Sequence, residues 1–359
     1  MNNKILIYLG HPAQYHFFKN IIKLLKKEKV EIKIAIKTKD VLEKLLIEDK
    51  MDYINVLPKP RNSNKLSILW ALIRRFVKLF TISVKFKPNL LIGTDASISW
   101  VGYILKIHAV TVLEDDEDII KELSRLTFPY TNAIVVPESC EIKSYTHKVI
   151  KYSGYMKLSY LHPNYINNFN KPDKIFLIRL SSLNAYHDNN IRGINRNILK
   201  DVLEILNNYG KVFISSEEEL PINLREYQLV CKASEIHDYI KKSYLIISDS
   251  QSMTVEAAIL GIPNIRYSDF VGSIGVLNEL EYKYKLSYGI RPDNQEELIN
   301  KINELINEEN IFEIFQKRRI EMLNDKIDVS SFFSWFIYEF PKSFDIMKSK
   351  PNYQDRFKL

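Results

Sequence analysis

The feature that most constrains this chain is a change of period that keeps recurring. Short apolar runs rich in β-branched residues alternate with longer segments whose apolar residues return every third or fourth position. "KILIYLG", "EIKIAIK", "YINVL", "NLLIGT", "AVTVL" and "NAIVVP" read as strands. Between them "QYHFFKNIIKLLKKEK", "DVLEKLLIED", residues 66–86 and a segment near Ser99–Lys106 read as helices. Such alternation argues for a parallel sheet covered on both faces. The pattern lapses over Tyr160–Asp173, "YLHPNYINNFNKPD", which is rich in Asn and Pro and reads as a linker. It restarts with "KIFLIRL", "RNILKDVLEILNNYG", "KVFISS", "EIHDYIKKS" and "YLII". The expectation is an α/β chain of two Rossmann-like domains, residues 1–160 and 174–329, facing each other across a ligand cleft. The aromatic tail 330–359, opening "SSFFSWFIYEF", is expected to return across the junction to the first domain.

Composition narrows the chemistry. With 10 glycines in 359 residues, no glycine-rich phosphate loop is available. Two cysteines, Cys140 and Cys231, make neither a disulfide framework nor a metal-ligand spacing, which fits a reducing cytoplasm. The opening "MNNKILIYLG" is not expected to be a signal peptide. The net charge of +7 is spread along the chain rather than gathered in an arm, and no nucleic-acid motif accompanies it. An anionic nucleotide, a phospholipid surface or a lipid-linked acceptor suits that charge.

The densest polar signal is "SDSQSMTVEAAILGIPNIRYSDFVG", Ser248–Gly272. A strand runs into a hydroxyl-rich turn, a helix follows, and Gly261 with Pro263 stops it before the strand "NIRY". Ser250, Ser252 and Thr254 are all candidate N-caps, and Glu256 is read as lying in the first turn. In a crossover unit of this kind the turn after the strand borders the ligand crevice, and a helix N-terminus attracts anions.

Four segments carry a family resemblance: "GHPAQYHFFKN", "RLSSLNAYHDNNIRGI", the Ser248–Gly272 stretch and "LNELEYKYKL". Together they resemble the uncharacterised-domain family numbered 354, which is similar to glycosyltransferase-B proteins and related to the UDP-N-acetylglucosamine 2-epimerase group. That resemblance implies a nucleotide-sugar donor, UDP-linked, held by the second domain. It implies that Glu256 accepts from the ribose hydroxyls, that Ser250 and Ser252 with the turn amides hold the diphosphate, and that Gln251, Met253 and Thr254 belong to the same nucleotide-sugar site. The paired glycines and first Glu of the relatives' turn are missing here.

Other strand-end residues join the candidate site. Arg179 suits a phosphate bidentately, and Arg266 is expected either to face phosphate or to pair with Asp269. Ser215, Glu217 and His237 are candidates for donor contact. His187 lies where the epimerases carry a catalytic His. In the first domain His11 follows the first strand and is a candidate base, with Asp95 as the alternative; His16 reads as a packing residue. Glu114, Asp115, Asp116 and Glu117 replace the epimerases' His-x-Glu-Ala-Gly, which counts against epimerisation, and Glu117 is kept as a catalytic candidate. No metal and no cofactor are expected.

The helix of residues 66–86 is the last anomaly. Ser67, Ala71, Arg74, Lys78, Thr81 and Lys85 form a narrow stripe, and nearly everything else is apolar, including Trp70, Phe76 and Phe80. Its cations exclude a membrane span. Attachment to the inner face of a bacterial membrane and burial as an interdomain or dimer helix both fit. The reaction expected is sugar transfer to a cell-surface polysaccharide or lipid-linked acceptor. A sugar-nucleotide 2-epimerase and a non-catalytic nucleotide-binding scaffold are the alternatives.

Overall fold

The computed structural model describes residues 3–39, 41–58, 65–166, 171–181, 192–216 and 218–359, and for 65–69 the backbone only. The chain forms two compact units: Met1–Ile166 with Lys326–Leu359, and Asn167–Asp325.

The first unit is built on seven parallel strands among the described residues: β1 (Lys4–Leu9), β2 (Glu31–Lys37), β3 (Ile54–Leu57), β4 (Leu90–Gly93), β5 (His108–Val112), β6 (Ala133–Pro137) and β7 (Val149–Tyr152). Their order is β3-β2-β1-β4-β5-β6-β7. The chain therefore builds outward from β1 to β3, then jumps back to the other side of β1. Ile5 to Leu9 of β1 are all buried, the mark of a strand covered on both faces. The helix Pro12–Lys27 opens on a proline, ends on Lys26 and Lys27, and buries Phe17, Phe18, Ile21, Ile22 and Leu25.

The C-terminal segment completes this unit. Its helix Val329–Tyr338 sets the Phe333 ring against Phe17 at 4.9 Å and Tyr152 at 5.1 Å. Asp328 accepts from the Ser331 amide at 3.0 Å, capping that helix, and also from Asn164 Nδ2 at 2.8 Å and the Tyr165 hydroxyl at 2.9 Å. The start of the expected linker is thus core rather than connector: Tyr160, Leu161 and His162 are buried.

The helix Lys65–Phe86 is also split differently from its sequence reading. Leu79 is fully buried, and Phe76, Phe80 and Ile82 pack on the core, while Trp70 is exposed. Among the described residues no helix is long and apolar enough to cross a membrane.

The second unit carries five parallel strands: β8 (Ile175–Leu180), β9 (Lys211–Ser216), β10 (Leu245–Ser248), β11 (Asn264–Tyr267) and β12 (Tyr288–Ile290). Their order is β12-β11-β10-β8-β9, so the direction of building reverses between β8 and β10. Gly261, with φ of +66°, ends the helix Gln251–Ile259 in the left-handed region, as the sequence suggested.

Candidate functional site

In the second unit one transverse row of residues crosses the sheet near its carboxyl edge. Ser215, Arg179, Ser248, Arg266 and Gly289 are successive cross-strand partners on β9, β8, β10, β11 and β12. Strand registry thus gathers two arginines and two serines that lie far apart in sequence. Arg179 Nη1 donates to Ser215 Oγ at 3.0 Å. At the reversal point the Ser181 amide donates to Asp249 Oδ1 at 2.7 Å, joining the turns after β8 and β10. Burial pushes the Asp249 carboxyl above its ordinary range, against the pull of the Ser181 and Ile194 amides.

Ser250, of the three hydroxyl candidates, is the N-cap: its side chain accepts from the Met253 amide at 3.5 Å. Thr254 is completely buried and donates to the Ser250 carbonyl at 2.8 Å, and Met253 is buried as well. Those two support the turn from within rather than line it. Gln251 and Ser252 are half-buried at the helix start. Glu256 lies in the second turn of this helix, not the first, so a macrodipole role, which fades within one turn, does not account for it. Instead Glu256 Oε1 lies 3.4 Å from His237 Nε2, with both side chains largely covered. The nearby Glu235 takes the capping role, accepting from the Lys232 amide at 3.0 Å.

Arg266 differs from its expectation. Asp269 pairs with Arg192, and Arg266, with no exposed surface, pairs with Glu281 at 2.8 Å and 3.0 Å. A fully buried guanidinium needs an acid at the same depth, which Glu281 supplies, while the more exposed Asp269 takes the surface Arg192. Arg266 Nη1 also donates to Gln251 Oε1 at 2.7 Å, and Gln251 Nε2 donates to Ser268 at 2.9 Å. Gly289 makes room, since a Cβ there would stand 2.7 Å from Glu281 Oε2. Burial raises the Glu281 carboxyl despite the Arg266 charge. The arginine therefore braces the start of the helix from below.

In the first unit the reversal lies between β1 and β4. His11 caps the helix Pro12–Lys27, its Nδ1 accepting from the Ala13 amide at 3.2 Å. Gln14 spans the two turns, accepting from the Gly10 amide at 2.6 Å and donating to the Thr94 hydroxyl. Asp95 caps the helix Ala96–Leu105 through the Ser97 amide at 2.9 Å and pairs with the buried Arg75 at 3.0 Å. His16 packs between the rings of Tyr15 and Tyr160.

The acidic run after β5 has protein partners. Glu114 pairs with Lys157 and accepts from the Met156 amide at 2.6 Å. Glu117 accepts from the Ser144 hydroxyl at 2.5 Å and from the Ser144 and Lys143 amides at 2.8 and 2.7 Å, and against burial these bonds together lower its carboxyl. Burial raises the carboxyls of Glu114 and Asp115, against the pull of Lys157. Among the described residues no group of three His, Cys, Asp or Glu side chains is placed to hold a metal ion. His187 and Glu217 lie outside the described residues. Sequence reasoning passed over Asp249, Glu281, Lys157 and Arg75. The one signal available was charge within an apolar run: Arg266 in "NIRY" demands a buried acid.

Two Rossmann-like domains, each gathering polar side chains where its strand order reverses, define an α/β protein of the glycosyltransferase-B-like class. The chain belongs to the family described as Protein of unknown function (DUF354), whose model matches residues 3–331. Among solved structures it is similar to MnaA of S. aureus in complex with UDP, at 14% identity, TM-score 0.68, covering 95% of this chain and 97% of that one. It is similar to the UDP-GlcNAc 2-epimerase of Neisseria meningitidis bound to UDP-GlcNAc, at 18% identity, TM-score 0.58, covering 89% and 99%. It is also similar to the spinosyn forosaminyltransferase SpnP, at 13% identity, TM-score 0.61, covering 95% and 99%. No curated protein matches the chain.

Proposed function

We propose that the protein transfers a sugar from a nucleotide-sugar donor, UDP-linked, to a cell-surface polysaccharide or lipid-linked acceptor at the cytoplasmic face of the membrane. The observation that carries this reading is the polar row at the second reversal point, set beside the Ser250-capped helix and the Glu256–His237 pair. Hydroxyls, amides and a guanidinium suit a diphosphate; a carboxylate suits a ribose diol. Solved proteins of the same fold hold UDP and UDP-GlcNAc, which supports the donor class. Arg179, Ser250 and Ser252 hold the diphosphate in this reading, and Gln251 is held in place by Arg266. Support of the departing diphosphate by these donors lowers the barrier, and no metal or other cofactor is required.

The first unit supplies the acceptor side. Asp95 has both oxygens committed, to Ser97 and to Arg75, whereas His11 is exposed at the start of its helix, with Nδ1 accepting from the Ala13 amide. In this reading His11, exposed directly after β1, is the general base. Taking up a proton at Nδ1 releases the Ala13 amide, so base action and the first turn of that helix are linked.

A sugar-nucleotide 2-epimerase is the second reading, supported by the fold shared with solved UDP-GlcNAc 2-epimerases. Calorimetry with UDP and UDP-GlcNAc, followed by NMR of the protein with UDP-GlcNAc and no acceptor, separates the readings. Saturable binding without change in the sugar supports transfer. Epimerisation or release of free sugar supports the second reading, and absence of all binding leaves a scaffold.

A further inference from the structure

The first unit keeps an apolar surface that its own elements do not cover. On the helix Lys65–Phe86, Trp70, Ile73, Val77 and Val84 are exposed by 60%, 41%, 54% and 49%. They lie on the face opposite Leu79, which is fully buried. The helix Ala96–Leu105 packs beside it and adds Tyr103 and Ile104, exposed by 65% and 55%. Ring contacts make the surface continuous: Phe76 meets Trp100 at 6.4 Å, Trp100 meets Tyr130 at 6.3 Å, and Tyr130 meets Tyr103 at 5.3 Å.

The charges of this face have one sign. The helix Lys65–Phe86 contains no Asp or Glu, and Ala96–Leu105 contains no charged residue. Arg74, Lys78, Lys85 and Lys106 stand exposed around the apolar side chains, and Arg74 lies over the Trp70 ring at 5.6 Å. None of the four takes part in an ion pair among the described residues. Apolar side chains interleaved with cations match a bilayer interface, where headgroup phosphates lie above the acyl boundary. They match a second copy poorly, because a two-fold axis would bring cation against cation, and Lys is depleted in protein interfaces.

We propose that this face docks the protein on an anionic phospholipid bilayer. Trp70, Ile73, Val77, Tyr103 and Ile104 enter the headgroup boundary, and Arg74, Lys78, Lys85 and Lys106 rest on phosphates. The inference deepens the membrane side of the proposed function by giving it a surface, and its test uses no substrate, so either can fail without the other.

The test is sedimentation with vesicles of phosphatidylcholine alone and of equal parts phosphatidylcholine and phosphatidylglycerol, at low and high salt. The protein is expected to sediment with the mixed vesicles at low salt and to return to the supernatant at high salt. Arg74→Ala with Lys78→Ala should weaken binding about fivefold for each cation removed. Trp70→Ser with Val77→Ser and Tyr103→Ser should weaken it about tenfold or more, with the melting temperature unchanged. Should the serine variant not fold, the double alanine variant decides. A protein that stays in the supernatant at low salt overturns the proposal, as does undiminished binding by folded variants. An oligomer that these substitutions dissolve, with vesicle binding intact, overturns it in favour of self-association.

Discussion

The two reversal points use the same kinds of part, an arginine, a carboxylate and a capped helix, and join them in opposite ways. In the second unit Arg266 lies under the turn and takes its acid, Glu281, from below, so the Ser250 cap and Arg179 remain at the sheet edge. In the first unit Arg75 comes from a helix and closes directly on Asp95, the capping carboxylate itself. A brace beneath a turn fixes donors while leaving them available for an anion. A clamp on the carboxylate occupies both its oxygens, and in the proposed function the acid–base work falls to His11. In the proposed function this contrast puts anion binding at one edge and proton transfer at the other.

The comparison breaks most sharply at His11. His11→Asn keeps an N-cap oxygen, so the melting temperature should hold, while turnover should fall about 10²–10⁴-fold. Near-normal turnover with UDP-sugar and acceptor would move the base to Asp95 or to the Glu114–Glu117 run. Next comes Arg266→Met, which strands the Glu281 carboxylate and should cost about 3–5 kcal/mol in denaturant unfolding of the second unit. The double change Arg266→Met with Glu281→Leu should recover most of that stability yet leave UDP affinity reduced, because Gln251 stays unbraced. Full recovery of affinity would show that the brace has no bearing on the turn.

Glu256→Ala sharpens the same contrast on the ligand side. It should weaken UDP binding by about 1.5–3 kcal/mol, as for a charged hydrogen-bond partner, with the fold retained. Unchanged calorimetry would reduce Glu256 to a partner of His237. The smallest effect belongs to Asp249. Its carboxyl is raised in the folded state, so its stabilising contribution is full below the unfolded carboxylate value of about 4 and is lost as pH rises through the folded value. Asp249→Asn should therefore gain stability relative to the wild type as pH rises, by no more than about 1.4 kcal/mol per pH unit. Melting curves from acid to neutral pH that stay parallel would contradict this.

Much of this was legible in the sequence, for a local reason. Strand and helix periods, the Ser250 cap and the Gly261 stop are all set by neighbours along the chain, and the ligand edge follows from strand ends in a parallel sheet. Partner choice is not local. Nothing near Arg266 says that Glu281 will lie under it, or that Gly289 will clear the space; registry between β11 and β12 decides that. The same holds for Arg75 with Asp95 and for Lys157 with Glu114. How the helix 66–86 divides its faces was not legible for a related reason: an apolar stripe wide enough for two faces cannot state which of Trp70, Phe76 and Phe80 meets the core. Glu256 was placed one turn early because three hydroxyls competed as caps and Ser250 won.

Asp328 has a consequence for how the chain is made. One carboxylate accepts from Asn164 and Tyr165, just before the chain leaves the first unit, and caps the helix at its return. The second unit is thus spliced into the first, and a ribosome finishes it before the last pieces of the first exist. Until residues 326–359 emerge, Phe17 and Tyr152 lack the Phe333 ring that packs on both. The nascent first unit waits with an unfilled aromatic pocket while its insert folds, and the helix Val329–Tyr338 is the wedge driven in last.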